Sequence, residues 1–501
     1  MLRKVATLIV GIVLVYQGYA QTEATSYFMN SIPQVAIHNP AFVPNYKFSI
    51  GLPFSSIMMG YSNNGFSYND LVTRQDGNVS ADLNKLVKSL ADKNYITTTG
   101  QMDLLRVGFK ITPKLYMQFN ATGKMYARFQ LPKEVASLFV EGTAPLVGTS
   151  NNFSPEGEGL SYLESALSAS YQLNEKLTIG ARLKYLKGIV NATTDRSSMS
   201  IAVNDNYEIT ASGDLSFKTS GINNFGDSNY DFGNEWKNYT KNNGYGIDLG
   251  ATYQLMDKLT VAASIIDLGR ISWKNDLYSY SLDKATANYT FSGIDVEKIV
   301  NGDSDYLDSE LDSLENKFEL KEGTIGSYST WLPGKMFISG NYELMKNLNV
   351  GAVLFTEKFQ GRFSPGGSAS LIKNFGKWVS TSVSYTISNR SFNNLGAGVS
   401  INLAPVQFYI VGDNMLRMPL SLAVKQDLNS FVNSTQFFNV RFGMNIVWGR
   451  NKGNDAKTSS VTGGNKAPEK SKSRSRPESV TGGKNAPEKA KTSIRARKKS
   501  R

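Results

Sequence analysis

Cysteine is missing from this 501-residue sequence, and histidine occurs once, at His38. Without thiols there is no disulfide framework, no cysteine nucleophile, no lipidated N-terminal cysteine and no Cys/His zinc site. A histidine-based triad would have to use His38 alone, and a histidine before Asn-Pro reads as a turn residue. No nucleophile–base pair and no phosphate-binding loop stands out, so a non-enzymatic protein without a cofactor is expected. Asp303, Asp305 and Asp308 have the spacing of oxygen ligands but lack the glycine and closing glutamate of a calcium loop, so no metal is expected. They read instead as part of a solvated acidic helix. Long apolar runs are also absent: beyond the first 20 residues no segment approaches the ~20 apolar residues of a membrane-spanning helix.

Charge is sparse, at 19% of residues, whereas Tyr (25), Phe (26) and Gly (44) are abundant. That is the composition of an aromatic, β-rich fold. The net charge of +12 is misleading as an average. The stretch 451–501 holds 15 Lys/Arg against 4 Asp/Glu, Arg3 and Lys4 add two more positive charges, and 21–450 is left at −1. Residues 1–20 carry a basic start, the apolar run ATLIVGIVLVY and a small-residue box before Gln21, which predicts a cleaved secretory signal. In the tail, SVTGGNKAPEK (460–470) returns as SVTGGKNAPEK (479–489). This segment is poor in apolar residues and highly charged, and is expected to be disordered. Behind a signal peptide its expected partners are peptidoglycan, anionic lipid or an acidic periplasmic protein, and not nucleic acid.

What remains is strict alternation. YQLNEKLTIGARLKY (171–185) returns as YQLMDKLTVAAS (253–264) and YELMKNLNVGAV (342–353). Leu177, Ile179, Ala181, Leu183 and Tyr185 alternate with Thr178, Gly180, Arg182 and Lys184, the period of a strand with one greasy and one wet face. In 114–131 the odd positions from Leu115 to Leu131 are apolar or small and the even positions from Tyr116 to Gln130 are polar or aromatic. Such strands span a bilayer only if they close on one another, because every backbone group must find a partner. Short turns near 112–114, 173–176, 255–258, 344–347, 374–377 and 403–405, with both ends of the chain on the same side, require fourteen strands, near 47–60, 101–112, 114–131, 159–173, 176–190, 244–255, 258–273, 334–344, 347–360, 363–374, 377–389, 393–403, 405–413 and 435–449. Tyr171, Tyr253 and Tyr342 precede three of these turns on the apolar face, where an aromatic girdle belongs, and Trp448 ends the last strand. The fold class predicted is therefore an all-β transmembrane antiparallel barrel of about 14 strands spanning 47–450. It carries long loops with helical patterns at 81–93, from 132 and at 295–320, and a polar loop at 191–243.

Four stretches, HNPAF (38–42), YSNNGFSYNDL (61–71), IIDLGRISW (265–273) and QFYIVGDN (407–414), resemble an uncharacterised family of Bacteroidota outer-membrane proteins related to FadL-type channels and to PorV-like barrels of type IX secretion. The resemblance covers 21–450. It implies a fourteen-stranded barrel in the outer membrane of a Gram-negative cell, with N-terminal residues folded into the lumen as a plug, here residues 21–46 and within them His38, Asn39, Pro40, Ala41 and Phe42. It does not imply one activity. The expected role is a monomeric docking or accessory component of an envelope or type IX secretion complex, with its tail in the periplasm. The alternative is a plugged channel for hydrophobic or small anionic solutes. Arg106, Lys110, Lys124, Arg128, Arg182, Lys184, Lys335 and Arg441 are read as lumen-facing against Asp248, Glu343 and Glu357. They either attract anions or pair with one another and with the plug.

Overall fold

In the computed structural model the fourteen strands are present and closed. The structure describes residues 23–449 apart from 67–71, 76–77, 224–230, 232, 234–236, 239–240, 283–284, 286, 292–311, 314, 360, 389–390 and 416–436. The signal at 1–20, the tail at 451–501 and Asp303, Asp305 and Asp308 lie outside the described residues.

The barrel strands are β1 (Phe48–Gly51 and Ser56–Asn63), β2 (Lys93–Lys110), β3 (Leu115–Pro132), β4 (Glu156–Gln172), β5 (Leu177–Val203), β6 (Asn243–Met256) and β7 (Leu259–Trp273), then β8 (Gly334–Met345), β9 (Leu348–Phe359), β10 (Arg362–Phe375), β11 (Val379–Ser388), β12 (Ser391–Leu403), β13 (Val406–Asp413) and β14 (Phe437–Trp448). Each pairs antiparallel with the next, and β1 pairs with both β2 (Ile50 opposite Val107) and β14 (Ile50 opposite Ile446), which closes the cylinder. Closure removes the unpaired edge that lipid would not tolerate.

The wall is inside-out relative to a soluble protein. Met125, Phe129, Leu183 and Ile338 are exposed, whereas Gln118, Asn120, Thr122, Arg182, Thr252 and Ser382 are buried. On β3 the alternation runs from Tyr116 to Gln130, inward residues buried except the half-buried Lys124 and outward ones open or half-buried. This is the apolar-out, polar-in pattern of an outer-membrane barrel. No helix among the described residues is long and apolar enough to cross a membrane.

Six short turns lie at one rim, between β2 and β3 and every second pair thereafter. At the opposite rim the connections are unequal. Those after β1, β3, β5 and β7 are long, while β9–β10 and β11–β12 are joined by two residues each. The long loops hold the short helices α1 (Leu83–Ser89) and α2 (Lys133–Glu141) inside the 81–93 and 132-onward patterns. Asp82 caps α1 by accepting from the Lys85 N–H at 2.9 Å.

The polar stretch 191–243 departs from its expected loop form. β5 continues to Val203, and a strand Ile209–Ser220 pairs back onto it, with Leu277–Leu282 and Asn288–Phe291 added alongside. Both faces of this extension are polar or mixed, so no two-residue period of polarity marks it. β1 also departs from expectation. It runs to Asn63 but is broken at Leu52–Ser55.

Candidate functional site

Residues 23–46 lie within the barrel wall and are almost wholly buried. They form turns and one 3-10 turn, Pro33–Ile37, where proline suits the first position because its missing N–H has no helical partner to lose. Such a segment has few internal backbone bonds, so its polar groups must find the strands.

Asp413 on β13 accepts the N–H groups of Ala24 and Thr25 at 3.0 and 2.9 Å. Arg441 on β14 grips Glu23 with two N–H donors, at 2.6 and 2.7 Å. The amides of Gln34 and Asn445 exchange bonds of 2.9 and 3.1 Å. The Ser31 and Ser400 hydroxyls are 3.0 Å apart. Across the lumen, Arg182 donates to the Ala36 carbonyl at 2.5 Å, Ser264 to the His38 carbonyl at 2.7 Å and Ser170 to the Ala41 carbonyl at 3.3 Å.

The HNPAF stretch acquires a physical explanation. Asn39 accepts the Ala41 N–H through its own side chain at 2.8 Å, a local turn, and donates to the Ala263 carbonyl of β7 at 3.2 Å. This close approach requires glycine opposite. A Cβ at Gly180 would overlap the Pro40–Ala41 backbone, and one at Gly250 would overlap the Asn39 amide. Phe42 packs edge-on against Tyr27 at 5.3 Å between centroids, and both are fully buried.

Three ionisable groups of the segment are displaced from their usual range, and burial pushes the Tyr27 hydroxyl up. Burial pushes the His38 imidazole down to about 4, although Glu23 opposes this. Its Nε2 lies 2.7 Å from the Ser26 hydroxyl. Burial alone would raise Glu23, but the Arg441 guanidinium holds it below the usual carboxylate range.

A charge network lies above the segment, toward the loops. Lys124 meets Glu164 at 2.7 Å and Asp267 at 3.4 Å. Lys184 meets Asp267 at 2.6 Å and Asp248 at 2.7 Å, and Arg182 meets Asp248 at 3.0 Å. Arg128 and Lys335 share Glu357, at 2.9 and 3.9 Å. Arg106 closes on Asp103 with two bonds of 2.8 and 3.0 Å. Of the eight cations singled out in the sequence, Lys124, Arg182 and Lys184 thus form one network, Arg128 and Lys335 a second, and Arg106 and Arg441 separate pairs. Lys110 stands apart at the short-turn rim beside Lys47, and among the described residues its amine has no hydrogen-bond partner.

A cavity of about 60 Å³ remains between segment and network, lined by Glu23, His38, Arg106, Lys124, Lys184, Asp267 and Lys335 among others. Above it the lumen is filled by Tyr126, Tyr162, Leu186, Ile271, Trp273 and Phe359, which pack as one buried cluster. Tyr171, Tyr253, Tyr342 and Trp448 all lie on the outer surface, 41–45% exposed, at the short-turn rim. Tyr171 sits opposite Leu115, Tyr253 opposite Leu177 and Tyr342 opposite Leu259, which puts the three tyrosines at one level.

The carboxylates were the part sequence reasoning misjudged. Glu23, Asp103 and Asp267 were not matched to the cations. On alternation alone Asp267 points at lipid, one position after the inward Ile266. A bulge intervenes: Asp267 has φ +59°, its N–H donates to Asp248 Oδ1 at 2.7 Å, and both Ile266 and Asp267 turn inward. An aspartate at a lipid-facing position was the available signal, since an unpaired charge there is expensive.

The family model described as "Family of unknown function (DUF5723)" matches residues 40–413. No curated protein matches the chain. Among solved structures, the toluene transporter TodX of Pseudomonas putida aligns with 9% identity over 86% of this chain and 95% of its own, at a TM-score of 0.36. The toluene transporter TbuX of Ralstonia pickettii aligns with 12% identity over 87% and 100%, at 0.32. A FadL homologue of Pseudomonas aeruginosa aligns with 10% identity over 86% and 99%, at 0.35. At such scores these likenesses carry no argument, and the fold rests on the strand pairing itself.

Proposed function

The chain belongs to the DUF5723 family, whose function is unknown, and from its own geometry we propose that it is an outer-membrane channel closed on the short-turn side by residues 23–46 and on the loop side by the cluster around Trp273 and Phe359, admitting small solutes when both give way. The observation that carries this reading is the seating of the segment. It is bonded to strands on opposite sides of the wall, and the lumen cavity ends on it. A wall this polar on the inside is suited to a water-filled path once vacated. Apart from Lys110, and from Arg441 whose partner Glu23 leaves with the segment, the lumen cations named above are matched to carboxylates on the wall, so the path has little net charge with which to attract an anion. Selection by size is favoured over selection by charge. The docking role in a type IX secretion or envelope complex draws on the resemblance alone, and the lumen geometry does not bear on it.

The absence of cysteine makes the test clean. Ser31→Cys with Ser400→Cys places two thiols where hydroxyls now lie 3.0 Å apart, one on the segment and one on β12. In liposome swelling, removal of residues 21–46 together with Trp273→Ala and Phe359→Ala should give fast solute entry. The oxidised cysteine pair should give none, and reductant should restore the wild-type rate. A folded barrel carrying all three changes that passes no solute would overturn the proposal.

A further inference from the structure

The break in β1 is a built feature rather than a frayed one. Ile50 faces Ile446 and Ser56 faces Gly443, so five residues of β1 stand opposite two of β14. The surplus folds outward as Leu52-Pro53-Phe54-Ser55. Two of its backbone donors are satisfied, Phe54 N–H by the Asp103 carbonyl at 3.0 Å and Ser55 N–H by the Leu52 carbonyl at 2.9 Å, while Pro53 has none to satisfy. The ladder resumes where Met444 N–H donates to the Ser55 carbonyl at 2.7 Å. Phe54 takes φ +63°, and a side chain at Gly443 would overlap the Ser55 carbonyl. In lipid a strand break without such partners would leave polar groups exposed, so this arrangement holds a particular shape.

That shape is a lip. Leu52 and Phe54 stand proud of the wall, 45% and 65% exposed, and face the outward side chains of β12–β14. Between them lies an apolar groove of about 560 Å³ floored by Ile401, Phe408, Ile410, Phe442 and Met444. The volume falls in the range of ligand pockets rather than of surface ripples. The floor is continuous with the lipid-facing surface of the barrel, so what reaches it is what surrounds the wall.

We propose that this groove is a binding site for one acyl chain of a bilayer lipid, clamped between the Leu52–Phe54 lip and the outer faces of β12–β14. Dispersion contacts along a fixed trough retain a chain that a smooth wall would exchange freely. The site is independent of whether the lumen conducts.

The test uses the mature chain purified in detergent and exchanged exhaustively, with bound phospholipid counted by native mass spectrometry. One lipid per barrel is expected. Leu52→Ala with Phe54→Ala should lower retention by about tenfold or more, given the apolar area removed. Val399→Trp, which fills the trough from its far side, should do the same. Leu183→Ala, on the lipid face of β5, should leave retention unchanged. Heat-modifiable gel migration confirms that each variant is a folded barrel. Equal loss in the Leu183 variant, no retained lipid in the wild type, retention unaffected by either groove variant, or a polypeptide occupying the groove would each overturn the proposal.

Discussion

The two sides of the barrel wall are built on different chemistry. From β2 to β8 the inner face carries long charged side chains, among them Arg106, Lys124, Arg128, Glu164, Arg182, Lys184 and Asp248, and the loops above are long. From β10 to β13 the inner face is nearly all small and polar, with Ser368, Ser370, Ser382, Ser384, Ser400 and Asn402, and Asp413 stands as a carboxylate. Two of the connections above this side are two residues long. Small hydroxyls leave room for a backbone to approach, so the N-terminal segment lies close against this side through Thr25, Met29 and Ser31. Charged side chains fill space and need carboxylates, so the opposite side largely satisfies itself. One wall receives the segment, and the other props the lumen from across it.

The largest expected effect lies on the charged side. Lys184→Ala leaves Asp248 and Asp267 buried with fewer cations, and loss of one partner from such a network costs about 3–5 kcal/mol. Urea unfolding in detergent micelles should show it, and a change below about 1 kcal/mol would mean that water already reaches the network. On the hydroxyl side, Gly396→Val should act differently. Its side chain would overlap the Thr25 and Ser384 hydroxyls. Overpacking of this kind costs about 1–3 kcal/mol, and here it should unseat the segment while the barrel stays intact. Faster protease cleavage within 23–46, with unchanged heat-modifiable migration, would bear this out, whereas unchanged cleavage would show that the segment adapts.

A smaller effect should follow pH. His38 is buried with its proton affinity lowered from 6.5 to about 4, facing Glu23, Arg441, Lys335 and Arg182. Between those two values a displaced segment binds a proton that the seated one does not, so seating is firm above pH 6.5 and weakens as pH falls toward 4. Solute entry should respond to pH across that window differently in the wild type and in His38→Gln, with the histidine's contribution to the rise lost in the variant. The smallest effect is expected outside the lumen. Tyr253→Ala at the short-turn rim touches neither side of the comparison and should shift stability by about 0.5 kcal/mol or less. A larger loss would assign the rim tyrosines more than anchoring.

How much of this was legible in advance follows the same division. Alternation marked the wall strands because each one has lipid on one side and the lumen on the other, and that contrast repeats every two residues. Where the contrast ended it stopped informing: β5 beyond Asn191 and the strand Ile209–Ser220 rise out of the bilayer and carry polar residues on both faces, so they read as loop. Asp267 was not legible as a lumen residue because a single bulged residue reverses the parity of everything around it. The Leu52–Ser55 lip was unreadable for a related reason, since its pattern is apolar whether it lies in the wall or stands out from it.

The order of greasy and wet residues was enough by itself to determine a closed fourteen-stranded cylinder, because only closure satisfies the backbone in lipid and only period two sorts the faces. Which carboxylate meets which cation, and where β1 leaves the wall, were decided in three dimensions. Partners such as Glu23 and Arg441, or Lys124 and Asp267, lie 418 and 143 positions apart, and only the curvature of the barrel brings them within bonding distance.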